Sequence, residues 1–208
     1  MPEQLSLLES DAPPLLFRPE AISAPRGKTL VGYTLFLAIF PEPEPAQRMA
    51  SVAVDLGSRH GLLGPLHPPE RLHITLHALA HFRHAIAQAN INAVKAASAS
   101  VTCPPLPIVF DRVMSFTNND AFVLRCDARS DAAVARLRQS LAVALRNAGL
   151  QPEPSRTPHM TMLYDRHHIA EHAIEPIPWT ATRFVLIVSH VGLGHNQLID
   201  QWVLAGRT

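Results

Sequence analysis

Along residues 71–78 apolar and polar positions alternate, with Leu72, Ile74 and Leu76 set between Arg71, His73, Thr75 and His77. A period of two marks a strand with one face in a core and one face open. On such a strand His73 and Thr75 point the same way, and Ile74 and Leu76 anchor the other side. The grammar returns at Pro158-His159-Met160-Thr161-Met162-Leu163, where His159 and Thr161 share a face and Met160 and Met162 take the core.

The rest of the chain reads as strands and helices around these two. Leu30 to Phe40 is a continuous apolar run suited to a central strand covered on both faces. After Pro41, Pro43 and Pro45, a helix follows with Met49, Val52 and Leu56 on one face, ended by Gly61 and Gly64. Beyond Phe82 the period becomes helical through Ile86, Ala89, Ala93, Val94 and Ala97, and Pro104, Pro105 and Pro107 stop it. Ile108 to Phe116 and Ala121 to Cys126 form a hairpin around Asn118-Asn119-Asp120. A helix capped by Ser130 then carries Val134, Leu137, Leu141, Leu145 and Ala148 to Gly149. After the His159 strand come Arg183 to Val191 and a last strand over Leu198 to Leu204, with Gly192 and Gly194 in the turn.

Each half thus runs strand, helix, His-x-Thr strand. This weak internal repeat of about a hundred residues fits an α+β duplication with helices outside antiparallel sheets. Residues 1–28, with Pro13, Pro14, Pro19 and Pro25 among polar and acidic residues, read as a loosely ordered extension. Residues 29–208 read as one domain.

Composition narrows the function. The 208 residues are 47% hydrophobic, enough for a sizeable core. A net charge of +1 argues against a broad grip on duplex nucleic acid, while leaving room for a small phosphorylated substrate or an RNA end. Cys103 and Cys126 make neither a disulfide framework nor a Cys-x-x-Cys metal spacing, so a reducing, cytoplasmic setting is expected. Met1-Pro2-Glu3-Gln4 lacks the basic start of a signal peptide, and no apolar run approaches the roughly 20 residues of a spanning helix. Nothing in the pattern demands more than a monomer.

Opening a cyclic phosphodiester needs one group to take a proton from water and another to protonate the departing ribose oxygen. Imidazole, with a pKa of about 6.5, supplies both at neutral pH. Hydroxyls fixed beside each ring would stabilise the charge gathering on the phosphoryl oxygens without a metal or other cofactor. His73, Thr75, His159 and Thr161 are such a set if the two strands face each other. A rival pattern exists, because His73, His77, His81 and His84 are four, four and three apart and would line one face of a helix as zinc or nickel ligands. The alternating Leu72, Ile74 and Leu76 argue for a strand instead, and no metal site is expected. His77 would share the open face as a further substrate contact. His60, His67, His190 and His195 read as loop or strand-end residues, and His167, His168 and His172 as solvated ones.

The paired segments Leu72-His73-Ile74-Thr75-Leu76 and Pro158-His159-Met160-Thr161-Met162-Leu163-Tyr164 resemble those of the two-histidine phosphoesterase superfamily. The closest look is to bacterial RNA 2',3'-cyclic phosphodiesterases, also called 2'-5' RNA ligases. The strand Arg183 to Ser189, after Pro178-Trp179, resembles the family's late strand. This resemblance implies two lobes related by a pseudo-two-fold, with both motifs in a central groove. It implies His73 as proton donor to the leaving oxygen, His159 as the acceptor that activates water, and Thr75 and Thr161 as phosphate ligands, with donor and acceptor exchangeable. The implied substrate is an RNA end or small nucleotide bearing a 2',3'-cyclic phosphate, with 2'-5' ligation as the reverse reaction. Tyr164 stands where some relatives carry a basic residue, and it could stack on a base or ribose. A binding module without chemistry is the alternative.

Overall fold

Gly32–Ile39, rich in Leu, Phe and Ile, forms β1, and both of its faces are covered. Leu35, Leu37 and Ile39 enter the main core, while Phe36, Ala38 and Phe40 join Val185 and Ile187 in a second apolar cluster. In this computed structural model the described residues are 32–82, 86–152 and 157–206. The expected extension over 1–28, the start of the domain at Thr29 and the position of His84 lie outside them.

The element order is β1, α1 (Pro43–Arg59), a 3-10 turn (Pro69–Arg71), β2 (Ile74–Phe82), α2 (Gln88–Ala99), β3 (Leu106–Phe116), β4 (Ala121–Cys126) and α3 (Ala128–Asn147). Then follow β5 (His159–Tyr164), β6 (His172–Ala181), β7 (Arg183–Val191) and β8 (His195–Val203). All eight strands join one antiparallel sheet in the order β6-β3-β4-β5-β2-β1-β7-β8. Its two four-stranded halves carry the repeat: β1-α1-β2 in one corresponds to β4-α3-β5 in the other. The fold is α+β, a duplicated antiparallel sheet backed by helices.

The three helices of the described residues share one side. Met49, Ala53 and Leu56 of α1, Val94 and Ala97 of α2, and Val134, Leu137, Leu141 and Leu145 of α3 all enter the main core against the sheet. Pro43 starts α1, where a missing N–H costs nothing. The cap of α3 differs from expectation. Asp127 is the N-cap and its Oδ1 accepts the Ser130 amide at 2.7 Å, whereas Ser130 lies inside the first turn with its hydroxyl accepting from the Val109 amide at 2.9 Å. An ionised carboxylate competes well for that place at the positive helix end.

The strand β6, which is not among the elements read from the sequence, carries Pro176 and Pro178. It lies at the edge of the sheet, where a residue without an N–H is tolerated.

Candidate active site

The halves of the sheet meet where Ile74 of β2 pairs with Met160 of β5, both fully buried in the core. Side chains alternate across a strand, so the flanking residues on each strand turn to the opposite, helix-free face. Those residues are His73 and Thr75 on one side, and His159 and Thr161 on the other. The antiparallel sense sets Thr75 beside His159 and His73 beside Thr161. The structure therefore brings all four residues singled out in the sequence to one face, across one seam.

The two rings are held alike. His73 Nδ1 lies 2.7 Å from the carbonyl oxygen of Arg71, and His159 Nδ1 lies 2.8 Å from that of Thr157, in each case two residues back. A carbonyl only accepts, so each Nδ1 carries the proton and each Nε2 presents a lone pair. Aromatic residues wedge both rings. Phe40 stacks on His73 at 5.0 Å between centroids and Phe36 tilts against it at 5.3 Å, while Phe116 meets His159 edge-on at 4.8 Å.

Burial pushes His73 down to about 4; the Arg71 carbonyl opposes the shift, and charges on His67, His159 and Arg71 add to it. Burial lowers His159 as well, against the Thr157 carbonyl and with the guanidiniums of Arg138 and Arg125. The two rings thus sense each other's charge, and both favour the neutral form in the free protein.

Each motif strand carries a bulge just past its threonine. In β2, Ala38 pairs with Thr75 and Leu37 with His77, so Leu76 and His77 both turn coreward and Ala78 returns to the open face. In β5, Val123 pairs with Thr161 and Phe122 with Leu163, so Met162 and Leu163 both turn coreward and Tyr164 returns to the open face. This overturns the expectation for His77. The ring is buried at 4% exposure, with Nε2 2.8 Å from the carbonyl of Arg138. Tyr164 stands on the face of Thr161, half exposed, with its ring edge-on to His67 at 5.7 Å.

The helical metal-ligand series is also overturned, since β2 is a strand. His77 points into the core, and His81 meets Thr34 across the pair with β1 at 3.2 Å. Among the described residues no group of three or more His, Cys, Asp or Glu side chains could hold a metal ion.

Several neighbours were missed in the sequence. Arg125 pairs in register with His159, and Arg112 pairs with Arg125, so both guanidiniums stand on the open face. The one local signal was Arg125 itself, a charge inside the apolar strand Ala121–Cys126. His67 comes from the loop after α1, which crosses onto the other half. Its amide donates to the Met162 carbonyl at 2.7 Å, and burial, then Arg71, pushes the ring to about 4. The Asp165 carboxylate secures that loop by accepting the amides of Leu63 at 2.7 Å and Gly64 at 2.9 Å.

A duplicated antiparallel sheet with a histidine and threonine from each half at its seam is the architecture of the two-histidine phosphoesterases. The profile of the 2'-5' RNA ligase superfamily matches residues 41–193, and the chain belongs to that superfamily. Among solved structures, one described as a phosphoesterase is 18% identical with a TM-score of 0.65, covering 84% of this chain and 99% of its own. LigT of E. coli, crystallised with 3'-AMP, is 19% identical with a TM-score of 0.64 over 83% of this chain and 98% of LigT. TT0787 of Thermus thermophilus is 17% identical with a TM-score of 0.63 over 84% of this chain and all of that one. No curated protein sequence matches. No helix among the described residues is long and apolar enough to cross a membrane.

Proposed function

We propose that this protein hydrolyses 2',3'-cyclic phosphodiesters at RNA ends or on nucleotides to 2'-phosphomonoesters, with His73 and His159 as the acid-base pair and no metal. The supporting observation is the twinned geometry at the seam. Two imidazoles, each fixed as the Nδ1–H tautomer by the carbonyl two residues back, offer free Nε2 atoms on one face beside two hydroxyls.

In the forward reaction His159 Nε2 takes a proton from water as its oxygen bonds to phosphorus. The P–O3' bond breaks, and His73, protonated at Nε2, gives its proton to the departing 3' oxygen. Thr75 and Thr161 donate to the non-bridging oxygens, where charge accumulates. The same step with a ribose 5'-hydroxyl in place of water, its proton passing to His159 as the P–O3' bond breaks and His73 protonates the 3' oxygen, is 2'-5' ligation, and its reversal runs the two protons back through the same pair. Both rings are neutral in the free protein, so the phosphate's own negative charge draws the catalytic proton into the site. A 3'-AMP complex exists for LigT, and a nucleotide suits the same face here.

The test is turnover of a nucleoside or oligonucleotide 2',3'-cyclic phosphate in the presence of a chelator. His73→Ala and His159→Ala should each lose about 10²–10⁴-fold in kcat, the range for general acid-base groups. Unchanged turnover in both would end the proposal, and binding without product would favour a nucleotide-binding module.

A further inference from the structure

The open face is not symmetric in charge. On the β1/β7 side of the seam, Phe36, Ala38, Phe40, Val185 and Ile187 form the apolar cluster beside His73. On the β4/β3 side the register partner of His159 is Arg125, and that of Arg125 is Arg112. Like charges directly opposite across a strand pair repel, so this arrangement calls for an anion between them.

Glu171, just ahead of β6, fills that place loosely. Its Oε1 is 3.4 Å from Arg112 Nη1 and its Oε2 is 3.7 Å from Arg125 Nη1, with the side chain 40% exposed. Both contacts are longer than the roughly 2.7–2.9 Å of a good charge-assisted hydrogen bond. Arg112 is otherwise well held, by Asp111 at 3.0 Å and by the Cys126 carbonyl at 2.8 Å. Arg125 is not. Its remaining contacts are Asp131 at 3.9 Å and the Met114 sulfur at 3.4 Å, and its Nε is buried without an acceptor. A guanidinium one strand from His159 therefore lacks the acceptor that would complete it.

We propose that Arg125, backed by Arg112, is a second anion subsite for the phosphate on the 5' side of the nucleotide being processed, so that the preferred substrate is an oligonucleotide end rather than a free nucleoside cyclic phosphate. This rests on the phosphodiesterase reading above. Arg125 stands one strand and Arg112 two strands from His159, about 5 to 10 Å at the spacing of sheet strands, which is the span of one nucleotide. An incoming phosphate takes the place of Glu171 and accepts from Nη1 of Arg112 and Nη1 of Arg125, bridging the two guanidiniums. On the far side the apolar cluster offers no cation and Arg71, whose charge reaches His73, stands as a single guanidinium, so the paired arginines place the 5' phosphate on the β4/β3 side.

Binding tests this apart from turnover. Calorimetry compares adenosine 2',5'-bisphosphate with adenosine 2'-monophosphate, two product analogues, on wild type, Arg125→Gln and Glu171→Gln. The bisphosphate should bind wild type at least tenfold more tightly. That ratio should fall below threefold in Arg125→Gln and rise in Glu171→Gln, opposite changes that a general folding defect does not produce. In turnover, a dinucleotide ending in a cyclic phosphate should exceed the nucleoside cyclic phosphate in kcat/KM by a similar factor in wild type. A ratio near one in wild type, or one unmoved by Arg125→Gln, overturns the subsite. If the ratios behave as expected while neither cyclic phosphate is cleaved, the subsite stands and the hydrolase reading fails. If both substrates are cleaved equally and the bisphosphate shows no advantage, the hydrolase stands and the subsite falls.

Discussion

The His77 ring reaches from β2 to the Arg138 carbonyl of α3, 2.8 Å away, tying the first His-x-Thr strand to the helix of the other half. Arg138 returns the link, its guanidinium donating to the Thr75 carbonyl. The groups that hold the motif strand from behind thus belong to the opposite repeat.

Removing that tie should cost stability. His77→Ala deletes a buried ring and the hydrogen bond that joins β2 to α3, so a loss of about 2–4 kcal/mol is expected by urea denaturation. A loss under about 0.5 kcal/mol, the size of an ordinary surface substitution, would contradict the buried placement.

Acid should weaken the fold and shape the reaction. Burial holds His73 and His67 each down to about 4, against about 6.5 in an unfolded chain. Between those values the unfolded state binds more protons, so stability is complete above about pH 6.5 and is lost as pH falls toward 4. Tm should drop across that window, and less steeply in His67→Gln; a flat Tm in the wild type would refute the buried neutral rings. The profile of kcat/KM, which reports the free enzyme, should be bell-shaped with its maximum on the acid side of 6.5. An anionic substrate raises both rings, so the kcat maximum should lie at higher pH than that of kcat/KM.

Gly64 packs against the end of β5 so closely that an added Cβ would run into the Tyr164 carbonyl. Gly64→Ala should destabilise by about 1–3 kcal/mol. It should also lower kcat/KM about tenfold or more, because it pushes on the strand of His159 and Thr161, and displacements of about 1 Å can cost 10². Gly57→Ala is the control. Its Cβ would make ordinary contact with Leu163 at 3.8 Å, and alanine in a helix favours stability by up to about 1 kcal/mol. Equal effects of the two substitutions would sink the argument.

The motif strands were legible because each declares one buried face through Ile74 and Leu76 or Met160 and Met162. The hairpin β3–β4 was legible from its turn, where Asp120 adopts a φ of 58°. The bulges were not, since Leu76-His77 continues the alternation on paper and only pairing with β1 reveals the extra residue. Arg125, Arg112 and Phe116 could not be attached to His159 from the sequence, because their proximity is set by the registers of β4 with β5 and of β3 with β4. The edge strand β6 hid behind its prolines for the same reason: sheet position, not local pattern, decides whether proline is tolerated.

Among the described residues, β2 and β5 meet in register at Ile74–Met160 alone, whereas β1 and β7 meet over seven positions. The ladder therefore contributes little to how far apart the two motif strands stand. That gap is governed from the rear, by the side chains of Leu76, Met160 and Met162 and by the links through Arg138. Trimming or swelling those buried groups would retune the distance between the rings while every reacting atom kept its chemical identity.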